Sequence, residues 1–134
     1  MKILFLDDSK QRYYSFVRNN VTAFVDLALT SEKAIQLLKI RQYDVIMLDH
    51  DLENEHYANQ HSDEKTGQEV ANYIAANKNN FLDCLIVCHS LNFHGRSKMI
   101  KTLQEAELKV LDKPFAWEIL KFEKYIRKGK SNAK

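Results

Sequence analysis

Four short apolar runs in this chain stop at residues able to handle metal ions or phosphate. Ile3–Leu6 ends at Asp7 and Asp8, and Val45–Leu48 at Asp49, His50 and Asp51. Leu85–Cys88 ends at His89 and Ser90, with Asn92 close behind, and Val110–Leu111 at Asp112, Lys113 and Pro114. Crowded carboxylates raise one another's pKa unless a cation neutralises them. The trio Asp7, Asp8 and Asp49 therefore suits a hard, oxygen-seeking ion, Mg²⁺ or Mn²⁺, which leaves room for a phosphate oxygen. The Lys113 ammonium, the Ser90 hydroxyl and the Asn92 amide are groups that offset charge on a phosphoryl group in transit. Taken singly, each has a plainer reading as a turn acid or a Lys–Asp ion pair. Lys113–Pro114 is also a candidate for a cis peptide.

Positioning these groups falls to five apolar runs: Ile3–Leu6, Val21–Leu27, Val45–Leu48, Leu85–Cys88 and Val110–Leu111. Three are continuous, as strands buried on both faces are. The second alternates, with Val21, Ala23, Val25 and Leu27 on one face, which suits a sheet edge. Helical spacing follows each run: Tyr13, Phe16 and Val17; Ala34, Ile35 and Leu38 behind the caps Thr30 and Ser31; Val70, Ala71 and Ile74; Met99, Ile100 and Leu103; Ile119, Phe122 and Ile126. Five βα units in succession predict an α/β protein with a doubly wound parallel sheet flanked by helices. In such sheets ligands bind beyond the carboxyl ends of the strands, where the polar residues above stand.

With 134 residues, the chain is long enough for one domain with a core of its own, expected over residues 1–128 with a basic tail at 129–134. Only 3 Gly and 1 Pro argue against a turn-rich β-sandwich. A net charge of +2 demands no polyanionic partner. No run approaches the roughly 18 apolar residues of a membrane span, and the opening apolar run is too short for a signal peptide. Cys84 and Cys88, about 13 Å apart if both lie on one strand, read as core hydrophobes of a reducing compartment. A cytoplasmic protein is expected.

Leu6-Asp7-Asp8, Asp44-Val45-Ile46-Met47-Leu48-Asp49 and Lys113-Pro114-Phe115 together resemble the hallmarks of a response-regulator receiver domain. The resemblance covers nearly the whole chain and implies a flavodoxin-like fold with strand order 2-1-3-4-5. It also implies Asp7 and Asp8 as the acidic metal pair, Asp49 as phosphoacceptor and Lys113 as the family's lysine. Leu48-Asp49-His50-Asp51-Leu52, Thr66-Gly67, and His89-Ser90-Leu91-Asn92 with Gly95 and Met99 are more similar to a divergent subgroup, the cyclic-phosphate-processing receiver-like domains. Arg12, one helical turn after Asp8, matches that subgroup too. The slot of the receiver's usual Thr/Ser falls on His89 by a count of four apolar residues, leaving Ser90 as its neighbour.

The added histidines separate two functional classes. A phosphohistidine or acyl phosphate already carries a good leaving group, so positioning and metal suffice. Opening a cyclic phosphodiester expels an alkoxide, and a placed acid speeds such a step by about 10²–10⁴-fold. Along an extended strand Asp49 and Asp51 share one side while His50 faces the other, so His89 or Asp51 is the expected proton donor. His50 reads either as a further acid or as a structural hydrogen-bonder. Lys113, Ser90 and Arg12 would hold phosphate oxygens, while Asp49 attacks phosphorus or the metal delivers water. The substrate would be a nucleotide or RNA end bearing a phosphate.

Two other readings stand beside this one: a single-domain response regulator phosphorylated on Asp49 by a sensor kinase and signalling through a docking partner, and a non-catalytic receiver-like binding module. The polar stretch from Glu53 to Lys65, with His56, His61, Asp63 and Glu64, reads as a solvated loop. Lys121, Lys124, Arg127, Lys128, Lys130 and Lys134 read as a solvated basic segment or as contacts to an RNA backbone.

Overall fold

The computed structural model describes residues 1–52 and 65–114. Five parallel strands, β1 (Lys2–Leu6), β2 (Phe24–Ala28), β3 (Val45–Leu48), β4 (Leu85–Cys88) and β5 (Lys109–Asp112), form one sheet in the order β2-β1-β3-β4-β5. Four helices connect them: α1 (Lys10–Arg18), α2 (Ser31–Ile40), α3 (Gly67–Ala76) and α4 (Phe93–Glu105). This is the flavodoxin-like arrangement. The expected fifth helix, the basic tail, the domain limit at 128 and most of the stretch from Glu53 lie outside the described residues.

The three central strands are continuous apolar runs because both their faces are covered. Leu4, Leu6, Ile46, Leu48, Ile86 and Cys88 pack on one side against Leu37 and Leu38 of α2, Val70 and Ile74 of α3, and Met99 and Leu103 of α4. Ile3, Phe5, Val45, Met47, Leu85 and Val87 face the other side, where α1 contributes Phe16 and Tyr13. Burial of one such large apolar side chain contributes about 1.5–3 kcal/mol. Both cysteines are free and buried, as expected.

Strand β2 starts later than the alternation predicted. Asn20 ties its amide to the carbonyl of Phe16 at 2.7 Å and its own carbonyl to the Ala23 N–H at 2.9 Å. That turn leaves Val21 exposed, while Ala23, Val25 and Leu27 keep the predicted face. The edge position of β2 agrees with its pattern.

Each helix begins with a side-chain cap placed just beyond the sheet. Ser9 accepts from the Arg12 N–H at 3.1 Å, Thr30 from Lys33 at 3.1 Å, Thr66 from Gln68 at 3.2 Å and Asn92 from Gly95 at 3.0 Å. Such caps contribute about 1 kcal/mol each and set where the helix leaves the strand end.

Candidate active site

The strand register brings the predicted residues together. Leu6 pairs with Leu48 and Leu48 with Cys88, so the next residue on each strand, Asp7, Asp49 and His89, falls at one level. The ladder continues past the strands: the Asp49 N–H donates to Leu6 O at 3.1 Å and the His89 N–H to Leu48 O at 3.0 Å. All three side chains are nearly or fully buried.

Asp7, Asp8 and Asp49 each bring one carboxylate oxygen to within 4.8 Å of the others, the donor set a divalent ion requires. The Arg12 guanidinium stands among them. Its Nη2 lies 2.7 Å from Asp7 Oδ1, 3.4 Å from Asp8 Oδ1 and 3.6 Å from Asp49 Oδ2, and its Nε donates to Asp7 Oδ2 at 2.9 Å. Burial pushes the Asp7 carboxyl up, but hydrogen bonds from His89, Arg12 and the Ser9 N–H outweigh it and hold Asp7 at about 2. Burial pushes the Asp49 carboxyl up to about 7, aided by the charges of Asp7 and Asp8 and resisted by Arg12 and the His50 N–H. Arg12 offsets that rise only in part, and a hard cation on oxygen ligands would supply the remaining positive charge. The donor set fits Mg²⁺ or Mn²⁺.

His89 lies against Phe5 with ring centroids 5.1 Å apart and planes 17° apart. Its Nε2 is 3.1 Å from Asp7 Oδ2. Burial lowers its pKa against the opposing pull of Asp7, so the imidazole is neutral and donates its Nε2–H. His89 thus stands at the site's inner wall, in contact with Asp7. Ser90 turns the other way: its Oγ accepts from the Asn92 N–H at 3.1 Å and completes a turn. Of the two residues weighed for the hydroxyl slot, His89 faces the acids.

His50 and Asp51 form a pair, Nδ1 to Oδ1 at 2.7 Å. The Asn92 amide donates to the same carboxylate at 3.1 and 3.3 Å. The strand rule that set His50 apart from Asp51 fails because β3 ends at Leu48 and the chain has already turned. One glycine permits this turn and a second makes room for the imidazole. The Gly67 N–H donates to His50 O at 2.9 Å, and a Cβ on Gly67 would overlap the Asp49 carbonyl. A Cβ on Gly95 would overlap the His50 imidazole.

Lys113 stands at the end of β5, apart from the acids. Its backbone N–H continues the ladder to Cys88 O at 3.2 Å, but its side chain is exposed and forms no ion pair with a described acid. Among the described residues, the cation beside the trio is Arg12. No peptide bond among the described residues is cis, Lys113–Pro114 included.

Arg96 escaped the sequence reading. It is buried, donating from Nε to Asp112 Oδ1 and from Nη1 to Ser90 O, both at 2.6 Å, with Phe93 over the guanidinium at 5.7 Å. It joins the ends of β4 and β5. Arg96, Met99 and Leu103 share the i, i+3, i+7 spacing of an inward stripe, and that spacing was the available signal. A depression of about 990 Å³ beside Tyr43, Phe81 and Cys84 lies at the opposite, amino-terminal ends of the strands.

A five-stranded parallel sheet of this order, with acids beyond the central strands, defines the receiver class. Solved receivers superpose on the chain. A CheY-like response regulator receiver domain protein from Methanospirillum hungatei JF-1 gives a TM-score of 0.68 at 12% identity, covering 98% of this chain and 97% of that one. A two-component response regulator from Clostridium difficile gives 0.66 at 24%, covering 96% of each. A response regulator from Thermotoga maritima in complex with Mg²⁺ and BeF gives 0.61 at 21%, covering 95% and 96%. Residues 2–105 match the cyclic-phosphate processing Receiver domain, and the chain belongs to that family. No curated protein matches it. No helix among the described residues is long and apolar enough to cross a membrane.

Proposed function

We propose that this domain opens cyclic phosphate esters, with nucleotide or RNA ends as the substrate class, at the carboxyl ends of β1, β3 and β4. The observation that carries the reading is the His50–Asp51 pair at 2.7 Å, directly after Asp49. A carboxylate on Nδ1 orients an imidazole and leaves Nε2 as the nitrogen that exchanges a proton. A plain phosphoacceptor has no need of that pair.

Asp7, Asp8 and Asp49 would hold Mg²⁺ or Mn²⁺, which when bound supplies neutralisation of a phosphate oxygen. Asp49 attacks phosphorus to give an aspartyl phosphate that water then hydrolyses, or takes a proton from an attacking water. One P–O bond of the ring breaks, and His50 protonates the departing alkoxide. His89 keeps Asp7 oriented, and Asn92 keeps Asp51 oriented. Arg12, half-exposed at the mouth, receives a phosphate oxygen.

The receiver fold supports a second reading, a phospho-switch charged by a sensor kinase on Asp49. Incubation with Mn²⁺ and a 2′,3′-cyclic nucleotide, and separately with acetyl phosphate, tests both. Ring opening lost in His50→Ala and Asp49→Asn supports the enzyme. Stable phosphorylation by acetyl phosphate without ring opening supports the switch and overturns the enzyme.

A further inference from the structure

We infer that Arg12 is a resident cation of the acid cluster, displaced by a divalent metal and drawn off by a phosphate oxyanion, so that metal and phosphate bind cooperatively. The inference rests on the reading of Asp7, Asp8 and Asp49 as metal ligands. One nitrogen, Arg12 Nη2, stands 2.7, 3.4 and 3.6 Å from oxygens of the three carboxylates. A magnesium-sized ion draws such oxygens to about 2.0–2.1 Å. By size and by like charge, it cannot share their centre with a guanidinium. The two cations compete for one place.

Departure of Arg12 leaves the rest of the site intact. Its backbone stays anchored by the Ser9 cap, while its side chain is 38% exposed and has a way out. Asp7 keeps the Ser9 N–H at 2.8 Å and His89 Nε2 at 3.1 Å, so its carboxylate remains oriented. Among the described residues, one guanidinium stands against these three carboxylates. A divalent ion offsets their charge better than Arg12 does. The freed guanidinium then matches a phosphate bidentately. An anion that engages Arg12 removes the competitor, and linkage requires the metal to strengthen anion binding equally.

Mn²⁺ binding, read from the electron paramagnetic resonance of the free ion, tests this with wild type, Arg12→Gln, Arg12→Lys and Asp49→Asn, each with and without methyl phosphate. Circular dichroism checks folding. Arg12→Gln should bind Mn²⁺ roughly tenfold or more tightly than wild type, a typical coupling strength. Methyl phosphate should tighten Mn²⁺ binding by at least about fivefold in wild type and by less than about twofold in Arg12→Gln. Should Arg12→Gln not fold, Arg12→Lys decides: a single ammonium cannot span three carboxylates, and tighter Mn²⁺ binding than wild type is expected. Equal affinity in wild type and the Arg12 variants, with loss in Asp49→Asn, overturns the inference and leaves the metal site standing. Absence of Mn²⁺ binding in every folded protein overturns the metal reading and the inference together.

Discussion

The His50 imidazole occupies the space that a Cβ on Gly95 would take. Gly95 occupies the first turn of α4, where glycine normally costs up to about 1 kcal/mol relative to alanine. Here that loss is offset by room for the His50–Asp51 pair.

Gly95→Ala should therefore lower stability by about 1–3 kcal/mol, the usual cost of overpacking, where an open helix site would gain. Ring opening should fall by about 10²-fold or more as the imidazole moves off Asp51. Chemical denaturation and turnover of a cyclic nucleotide check the two effects. A variant more stable than wild type would show that the contact has slack.

Asp49 makes stability depend on pH in the metal-free protein. Its folded pKa is raised to about 7 from 3.8, so the folded state binds that proton more tightly than the unfolded chain. The resulting stabilisation is complete below about pH 3.8 and is lost as pH rises through 7. Asp49→Asn should be more stable than wild type at pH 8 in chelator by about 1–3 kcal/mol. The gap should narrow toward pH 5, and thermal unfolding across that range measures it.

Arg96 holds Ser90 and Asp112 together from a buried position. Arg96→Met keeps the stem's packing and removes both charge-assisted bonds, at a cost of about 1–3 kcal/mol. Hydrogen exchange should quicken at Lys113 N–H, whose partner Cys88 O lies beside the loosened junction. Unchanged exchange there would contradict the role.

Burial raises the Cys84 thiol to about 11 and the Cys88 thiol to about 12. The thiolate is the reactive form, so both should resist iodoacetamide in the folded protein at pH 8 and react readily in denaturant. Mass spectrometry of the alkylated protein counts them. Folded stability should also decline above about pH 9, since both folded pKa values exceed the unfolded one.

Much of this was written in the pattern of residue types. Buried strands show as unbroken apolar runs, so Asp7, Asp49 and His89 could be placed at strand ends by counting alone. Long-range partners were less visible. Local spacing already set Arg12 one helical turn from Asp8, but its reach to Asp49 depends on the pairing of β1 with β3, which no local spacing encodes. The partner of His50 was out of reach of the strand rule, which does not hold past Leu48, where Gly67 lets the backbone turn and Gly95 leaves room for the imidazole. Arg96 was overlooked because a charged residue on an inward stripe looks like an error until its partners, Ser90 O and Asp112, are seen.

The bond between Asp7 and His89 joins positions 82 residues apart, through strands that are neighbours only once β3 lies between them. No fragment shorter than the three central strands can form that bond. Any occupant of the site accordingly selects the finished fold, adding protection that grows with the logarithm of its concentration.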